Sequence, residues 1–403
     1  MTQKVFVLPY KMASKSAKRI AQELGCPLLD PRSPMSFSAE IGEGSTQAGD
    51  TPLVLNWGCG WISETELGYR GLRPTTNILS DRSINDRVVG RIIVNYPRHV
   101  AEAVSKIAFF ANISSTLDDW SSDEDFDPNE LEIVSNAGLD DVAVGGRDWL
   151  DSTSFIPVTS MIREGGRTSY SRRVLLDEIV RRSRSGESPI VMIRGNESRD
   201  GRDTDHITLP ASPSYTVEQA AEQLNASITE AKRNQTEPQK LFLSLYEPVE
   251  FEFRVHINQF GARISERRPA SRDTSTEHPV IRTGESWYMA AIGRNERQTD
   301  AARKALVAAN LAYSASALDF AAIDVGVRED GRPIVFEANT APSDLGPKTR
   351  AFYKWYVETL REAMADCDTA NSFCTNLGQA RSSNAIWNDP SYIWVESAIR
   401  RST

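Results

Sequence analysis

The sequence predicts an α/β protein of more than one lobe, with a parallel sheet near the N-terminus and antiparallel hairpins near the C-terminus. Three observations carry that expectation. Residues 1 to about 110 alternate short apolar strands with amphipathic helical segments, the pattern of a mainly parallel sheet. The stretch LFLSLYEPVEFEFRVHI (241–257) ends in strict alternation, with Phe251, Phe253, Val255 and Ile257 on one side and Glu252, Arg254 and His256 on the other. The stretch LDFAAIDVGVREDGRPIVFEANTAP (318–342) reads as two strands around Asp330-Gly331, a strong hairpin signal because Gly accepts positive φ and Asp tolerates it.

The composition sets the bounds. A chain of 403 residues has room for two or three domains. At 40% hydrophobic and 25% charged it is ordinary for a soluble globular protein. No apolar run approaches the ~20 residues a membrane span needs. The apolar core of the first residues is too short for a secretory signal, so KVFVL is read as a first buried strand. Cys26, Cys59, Cys367 and Cys374 show neither metal nor disulfide spacing, which fits a reducing cytoplasm. The formal charge of −9 argues against a protein that grips nucleic acid by its phosphates over a broad surface, while leaving a local basic groove open.

Taken in order, Lys4–Leu8 is a strand. Ser14 to Leu24 is a helix with Ala17, Ile20, Ala21 and Leu24 at helical spacing, ended by Gly25. Pro52–Trp57 is a second strand, followed by the Gly58-Cys59-Gly60 loop, and Arg91–Asn95 is a third. A helix opens at Pro97, carries Val100, Val104, Ile107 and Ala108 on one face, and includes Lys106. Acidic residues crowd 118–132, the pattern of a solvated surface. Val174–Val180 is a short helix, and Pro189–Arg194 a strand ending in a charge. Thr216 and Gln219 form a capping box ahead of a helix with Val217, Ala220, Ala221, Leu224, Ile228 and Ala231 on one face. Asn258–Gly261 is a turn, and Ala262–Arg268 the returning strand. Gln298–Tyr313 is a helix with Thr299 as N-cap, and Arg350–Met364 another. Aromatic residues in the polar tail (Trp387, Tyr392, Trp394) suggest docking on the body or on a second subunit.

The hairpin carries the chemistry. With Asp330 and Gly331 as the loop, Glu329 pairs with Arg332, and pairing outward sets Asp324 opposite Glu337. Asn339 then shares that face. Facing carboxylates repel unless something lies between them. A divalent cation answers that need, and oxygen ligands suit Mg²⁺ better than Zn²⁺.

The phrase Asp324…Phe336-Glu337-Ala338-Asn339-Thr340-Ala341-Pro342, with Glu252-Phe253-Arg254-Val255-His256 before it, resembles the signatures of ATP-grasp enzymes. The resemblance is to the carboxylate–amine ligase branch, closest to the ATP-grasp proteins commonly encoded by bacteriophages, distant relatives of ribosomal-protein glutamate ligases. It covers roughly residues 50–345. It implies an N-terminal α/β domain (1–110, with an acidic insertion to about 150), a small lid lobe (151–210), a C-terminal lobe (211–366) and a tail (367–403).

The resemblance also implies roles. Asp324, Glu337 and Asn339 hold Mg²⁺. Lys106 and Arg194 contact ATP phosphates, the Leu245-Tyr246 hinge receives adenine, and Glu252 takes the ribose hydroxyls. Arg254 faces the reaction centre, and Arg267 or Arg268 contacts phosphate or the acyl group. The implied reaction activates a carboxylate as an acyl phosphate and joins it to an amine, releasing ADP and phosphate in the cytoplasm. The acceptor is a small-molecule or peptide amine, and the acidic charge lends no support to a nucleic-acid acceptor. The loop GNESRDGRDTDHI departs from the family pattern: it has only Gly195 and Gly201, with Arg199 and Arg202 alongside. Two other readings share the site: a phosphotransferase that stops at phosphoryl transfer, and an ATP-binding module with weak turnover.

Overall fold

The computed structural model describes residues 4–32, 52–62, 72–74, 91–122, 159–161, 172–195, 204–234, 241–268, 286–289, 296–342 and 345–365. The acidic run beyond 122, the loop 196–203 and the tail 367–403 lie outside them.

The N-terminal unit holds β1 (Val5–Pro9), α1 (Lys15–Leu24), β2 (Leu53–Trp57), β3 (Leu72–Pro74) and β4 (Arg91–Val94). The strands run β1-β2-β4-β3, and every pairing is parallel, as the alternation predicted. The Ser14 hydroxyl accepts from the Ala17 amide to start α1, and Gly25 ends it at φ 62°, a conformation glycine reaches without strain.

The single helix expected from Pro97 onward is two: α2 (Pro97–Val104) and α3 (Lys106–Ser122). The reason is Ser105. Its amide still donates to Ala101, closing α2, but its backbone turns extended (ψ 104°). Its hydroxyl accepts from the Ala108 amide at 3.4 Å, so the serine serves as a cap rather than a helix interior. The break makes Lys106 the first residue of α3.

The small lobe comprises β5 (Thr159–Met161), α4 (Arg172–Arg184), β6 (Ile190–Gly195), β7 (Thr204–Thr208), α5 (Val217–Asn234) and β8 (Leu241–Leu245), with an antiparallel sheet ordered β5-β8-β6-β7. This moves the expected boundary. Leu241, Leu243 and Leu245 share one core with Leu175 and Ile179 of α4 and Leu224 of α5, so the lobe runs to Leu245 rather than 210. An all-apolar strand does not announce which sheet it joins. Helix α4 also outruns its predicted Val174–Val180 span, because its flanking arginines pair with Asp177 and Glu178 one turn away and extend the helix. The capping box forms reciprocally, Thr216 N to Gln219 Oε1 at 3.0 Å and Gln219 N to Thr216 Oγ1 at 3.3 Å.

The large lobe holds β9 (Phe251–Asn258), β10 (Gly261–Arg268), β11 (Ser286–Met289), α6 (Glu296–Ala315), β12 (Phe320–Val327), β13 (Pro333–Asn339) and α7 (Pro347–Ala365). Its antiparallel sheet runs β11-β10-β9-β12-β13. One face, with Phe253, Val255, Ile257, Ile323 and Val325, packs on the alanine-rich side of α6. Helix α6 starts before Thr299, which is therefore a buried first-turn residue and not the N-cap.

Two devices join the N-terminal unit to the large lobe. Phe352, Tyr353 and Tyr356 of α7 share a core with Trp57, Leu55 and Phe320. Asn95, left-handed at φ 62° just past β4, accepts from the amides of Asp319 (2.7 Å) and Phe320 (3.1 Å) and donates to the Phe320 carbonyl (2.8 Å). Asparagine tolerates that backbone. The side chain fixes the end of β4 to the start of β12.

Candidate active site on the large-lobe sheet

The two central carboxylates face each other as the turn predicted, but by another route. The loop holds Glu329, Asp330 and Gly331, closed by Gly331 N to Arg328 O (2.9 Å) and Arg328 N to Arg332 O (3.0 Å), with Gly331 at φ 82°. A third loop residue slips the register by one, which alone would set Phe336 opposite Asp324. A bulge restores it: Val325 pairs with Val335 and Asp324 with Glu337, so Phe336 is the extra residue. Two departures from the simple hairpin cancel.

Strand register then assembles one face. Asp324 pairs with Arg254, Gly326 with Glu252, and Arg254 with Ser265. Arg254 closes a bidentate fork on Asp324, Nε to Oδ1 and Nη2 to Oδ2, both at 2.6 Å. Asn339 Nδ2 reaches Asp324 Oδ2 at 3.2 Å and Glu337 Oε1 at 3.3 Å. Lys106 arrives from the start of α3, its Nζ 3.8 Å from Glu337 Oε2. Arg194, at the end of β6, lies over the Phe242 ring at 5.6 Å and donates to Ser244 Oγ at 3.0 Å. Glu337 keeps 36% of its side chain exposed, so a ligand can reach it.

The electrostatics split the pair. Burial pushes Asp324 up to about 6, against the pull of Arg254. Burial also works to raise Glu337, but Lys106, Arg254 and Arg194 together hold it below the usual carboxylate range. Burial works to lower Arg254, and the charge and hydrogen bonds of Asp324 overcome it and raise the guanidinium. Burial lowers Arg194, against the attraction of Glu337. His256 is kept neutral by burial and by Arg254 and Arg263, its Nδ1 2.9 Å from the Tyr353 hydroxyl. Three acids (Glu252, Asp324, Glu337) thus meet four bases (Lys106, Arg194, Arg254, Arg263) in one mixed-charge cluster.

The remaining candidates divide. Leu245 is buried at the end of β8, and Tyr246 follows, its amide closing the small-lobe ladder onto the Ile190 carbonyl at 2.8 Å. That amide is therefore committed to the fold. The two residues mark the passage between lobes. Glu252 stands beside an apolar floor: a Cβ on Gly326 would meet Val249 Cγ1 at 2.5 Å and the Phe336 ring at 2.8 Å. In β10, Arg254 pairs with Ser265, so position 267 shares the site face, whereas position 268 alternates to the opposite face with Glu266. The backbone register thus sets positions 267 and 268 on opposite faces of β10; the side chains of both arginines lie outside the described residues.

Sequence reasoning passed over two residues. Arg263, buried and opposite His256 on the site face, was legible in the alternation Arg263-Ser265-Arg267. Glu247, 5% exposed, links Arg182 of α4 (2.7 Å) to Arg328 beside the hairpin loop (3.6 Å), and no local pattern signals that. Gly58, in the glycine loop that the sequence marked after β2, packs just past the end of β13, where a Cβ would come within 2.6 Å of Ala341 Cβ.

No family model and no curated protein sequence matches the chain. Its fold does match solved structures. D-alanine–D-alanine ligase from Bacillus anthracis, complexed with ATP, aligns over 90% of this chain and 97% of that chain at 11% identity, with a TM-score of 0.50. D-alanyl-alanine synthetase A from Vibrio cholerae O1 aligns over 94% and 98% at 12% identity (TM-score 0.47). ATP-grasp ligase PsnB, complexed with a phosphomimetic variant of its minimal precursor, Mg and ADP, aligns over 94% and 99% at 11% identity (TM-score 0.41). The chain has the ATP-grasp fold. At such identities the likeness is one of architecture, so chemistry must be argued from the site.

Among the described residues no helix is long and apolar enough to cross a membrane. Nor does any cluster of three or more His, Cys, Asp or Glu side chains offer a metal cage. The oxygen set offered is two carboxylates and a carboxamide, which fits Mg²⁺ well. That ion keeps several waters and shares its remaining positions with substrate phosphates instead of demanding an all-protein shell. To ligate through oxygen, the Asn339 amide must turn by a half rotation from its present hydrogen bonds.

Proposed function

We propose that this protein is an ATP-dependent carboxylate–amine ligase. The observation that carries the reading is the mixed-charge face where Asp324 and Glu337 meet Arg254, Lys106 and Arg194. A bare dication would leave that face with excess positive charge, and a bare polyphosphate would leave it with excess negative charge. Magnesium and a nucleoside triphosphate together suit it, and the apolar floor of Val249 and Phe336 beside Glu252 suits the base and ribose.

In this reading Asp324, Glu337 and Asn339 would hold Mg²⁺, which supplies charge neutralisation at the phosphates. Lys106 and Arg194 grip phosphate oxygens, and Glu252 accepts from the ribose hydroxyls. The γ-phosphoryl group passes to a carboxylate oxygen of the substrate as its bond to the β-phosphate oxygen breaks, and ADP leaves. An amine then attacks the acyl carbon, inorganic phosphate departs with the C–O electron pair, and the amine loses a proton to solvent. Arg254, and position 267 on the same face, meet the anionic group being transferred. Little of this is acid–base chemistry by the protein; positioning and charge stabilisation carry it. The neutral His256 is held by Tyr353 as part of the floor. Substrates are small-molecule or peptide carboxylates and amines.

The test is calorimetric titration of ATP with Mg²⁺ into the full chain and into Glu337→Ala with Asn339→Ala. Metal-dependent affinity present in the first and lost in the second supports the reading. Absence of nucleotide binding by the native chain sinks it. An amine screen by ADP release then sorts the chemistry: ADP with amine consumption marks a ligase, ADP without it a phosphotransferase, and binding without ADP an inert module.

A further inference from the structure

The chain passes from the small lobe to the large lobe between Leu245, the last residue of β8, and Phe251, the first of β9. Glu247 lies in that passage and is only 5% exposed. A crossing segment has no need of a buried carboxylate, and burying one is costly unless it is paired. Its partners come from both lobes. Arg182, in the last turn of α4, donates from Nη2 to Glu247 Oε1 at 2.7 Å. Arg328, the residue after β12, sets its Nε 3.6 Å from Glu247 Oε2.

The two ends are held unequally. Arg182 is anchored twice, since its Nε also donates to Glu178 Oε1 at 2.8 Å within α4. Burial works to lower this guanidinium, and the bonds to Glu247 and Glu178 overcome it and raise it. The Arg328 Nε, in contrast, is buried without a hydrogen bond. At 3.6 Å it attracts the carboxylate but stops short of bonding, because N–H···O bonds close at about 2.7–3.2 Å. Glu247 is therefore fastened to the small lobe and drawn toward the large one.

The link bears on the site because the site has two halves. Helix α4 shares a core with the small-lobe sheet through Leu175, Ile179 and Val191, so whatever holds α4 also orients β6, which carries Arg194. Glu337 stands on β13 of the large lobe, and the charge of Arg194 acts on it. Arg328 opens the loop of that same hairpin.

We propose that Glu247 is a positioning residue for the nucleotide site: one buried carboxylate, shared by Arg182 and Arg328, sets the angle at which the small lobe and its Arg194 stand over the metal-ligand hairpin. The proposal rests on the Mg²⁺–nucleotide reading of this site and adds the residue that couples its two halves. Glu247 acts through the two arginines and touches no substrate. A metal ion alone, held by the large lobe, is indifferent to the angle. A nucleoside triphosphate, gripped from both lobes, depends on it.

The test uses the full chain, with Mn²⁺ alone followed by electron paramagnetic resonance and ATP with Mg²⁺ followed by calorimetry. In Glu247→Gln, Mg²⁺–ATP binds roughly tenfold more weakly while Mn²⁺ binds as it does to the native chain. A double-mutant cycle then asks whether the arginines share the carboxylate. Arg182→Gln and Arg328→Gln are non-additive in ATP affinity when Glu247 is present, because losing either one already breaks the link, and they become additive in Glu247→Gln. General loosening of the fold predicts otherwise: both ligands weaken together and the arginines add in either background. Where Glu247→Gln does not fold, the cycle in the native background decides alone. Unchanged ATP affinity in Glu247→Gln, equal weakening of Mn²⁺ and ATP, or a coupling between the arginines of less than about twofold overturns the positioning role and leaves the nucleotide site standing. A native chain that binds no Mg²⁺–ATP removes the nucleotide reading, and the role of Glu247 goes with it.

Discussion

The two faces of the large-lobe sheet are built from the same strands yet held by different physics. On the α6 side, Phe253, Val255, Ile257, Ile323 and Val325 are buried among alanines. On the other side, Arg254, His256 and Asp324 are nearly as buried, at 8%, 1% and 6% exposure. The first face is stabilised by removing apolar area from water, about 25 cal/mol per Å². The second gains nothing from burial itself, since every charge there needs a partner. Its partners come from far along the chain: Lys106 from α3, Arg194 from the small lobe, Tyr353 from α7. One face makes the fold, and the other is organised by the fold for something else.

Truncating the apolar face should be the costliest single change. Phe253→Ala removes a fully buried ring and should cost ~3–5 kcal/mol of stability in a denaturant melt. A loss under about 1 kcal/mol would mean that the α6 face is not the core it looks like. The contrast comes from replacing the central ion pair as a pair, Arg254→Met with Asp324→Leu. Swapping a buried ion pair for packed apolar groups is often neutral or stabilising, by up to about 4 kcal/mol. The double variant should therefore melt at or above the native chain while losing Mg²⁺-dependent nucleotide binding. If it unfolds instead, the polar face is part of the scaffold and the division between the faces fails.

A smaller effect is expected at Lys106, buried at the start of α3. Lys106→Gln removes one cation from Glu337 and should weaken Mg²⁺–ATP binding roughly tenfold, the worth of one charge-assisted contact, with little change in melting. Equal binding by Lys106→Gln and the native chain would confine Lys106 to a structural role.

The same contrast explains what the sequence disclosed. Alternation in 251–257 and the apolar runs of β1, β2 and β12 made the strands and the α6 face legible, because a side chain's preference for water is a local property. The facing of Asp324 and Glu337 was also reached from the turn, although the structure arrives there with a third loop residue and a compensating bulge at Phe336. Bulges leave no mark in alternation that a plain register count can detect. What stayed hidden depends on long-range partners: the membership of β8 in the small lobe, the Arg254–Asp324 fork, and the Glu247 link between Arg182 and Arg328. The phrase Arg267-Arg268 carries no register of its own, and only the pairing of Arg254 with Ser265 sets the two positions on opposite faces.

The two facing carboxylates offer the finest version of the comparison, because their surroundings push them apart. Burial carries Asp324 to about 6, whereas the cations around Glu337 keep that residue low. A metal ligand must be deprotonated, so Mg²⁺-dependent affinity should fall as pH drops through about 6, by up to roughly tenfold per unit, with the slope of a single proton. Stability should move the other way. A carboxyl whose folded value lies above its unfolded value holds its proton more tightly in the folded state, so its contribution to stability grows as pH falls from about 6 toward the ordinary value of 3.8. Titrations and melts at pH 5 and pH 7 would show the two trends crossing, and Asp324→Asn should flatten that part of the stability profile. A native chain whose nucleotide affinity is level across that interval would place the titrating proton somewhere other than Asp324. The polar face would then owe its pH response to groups that its strand register does not contain.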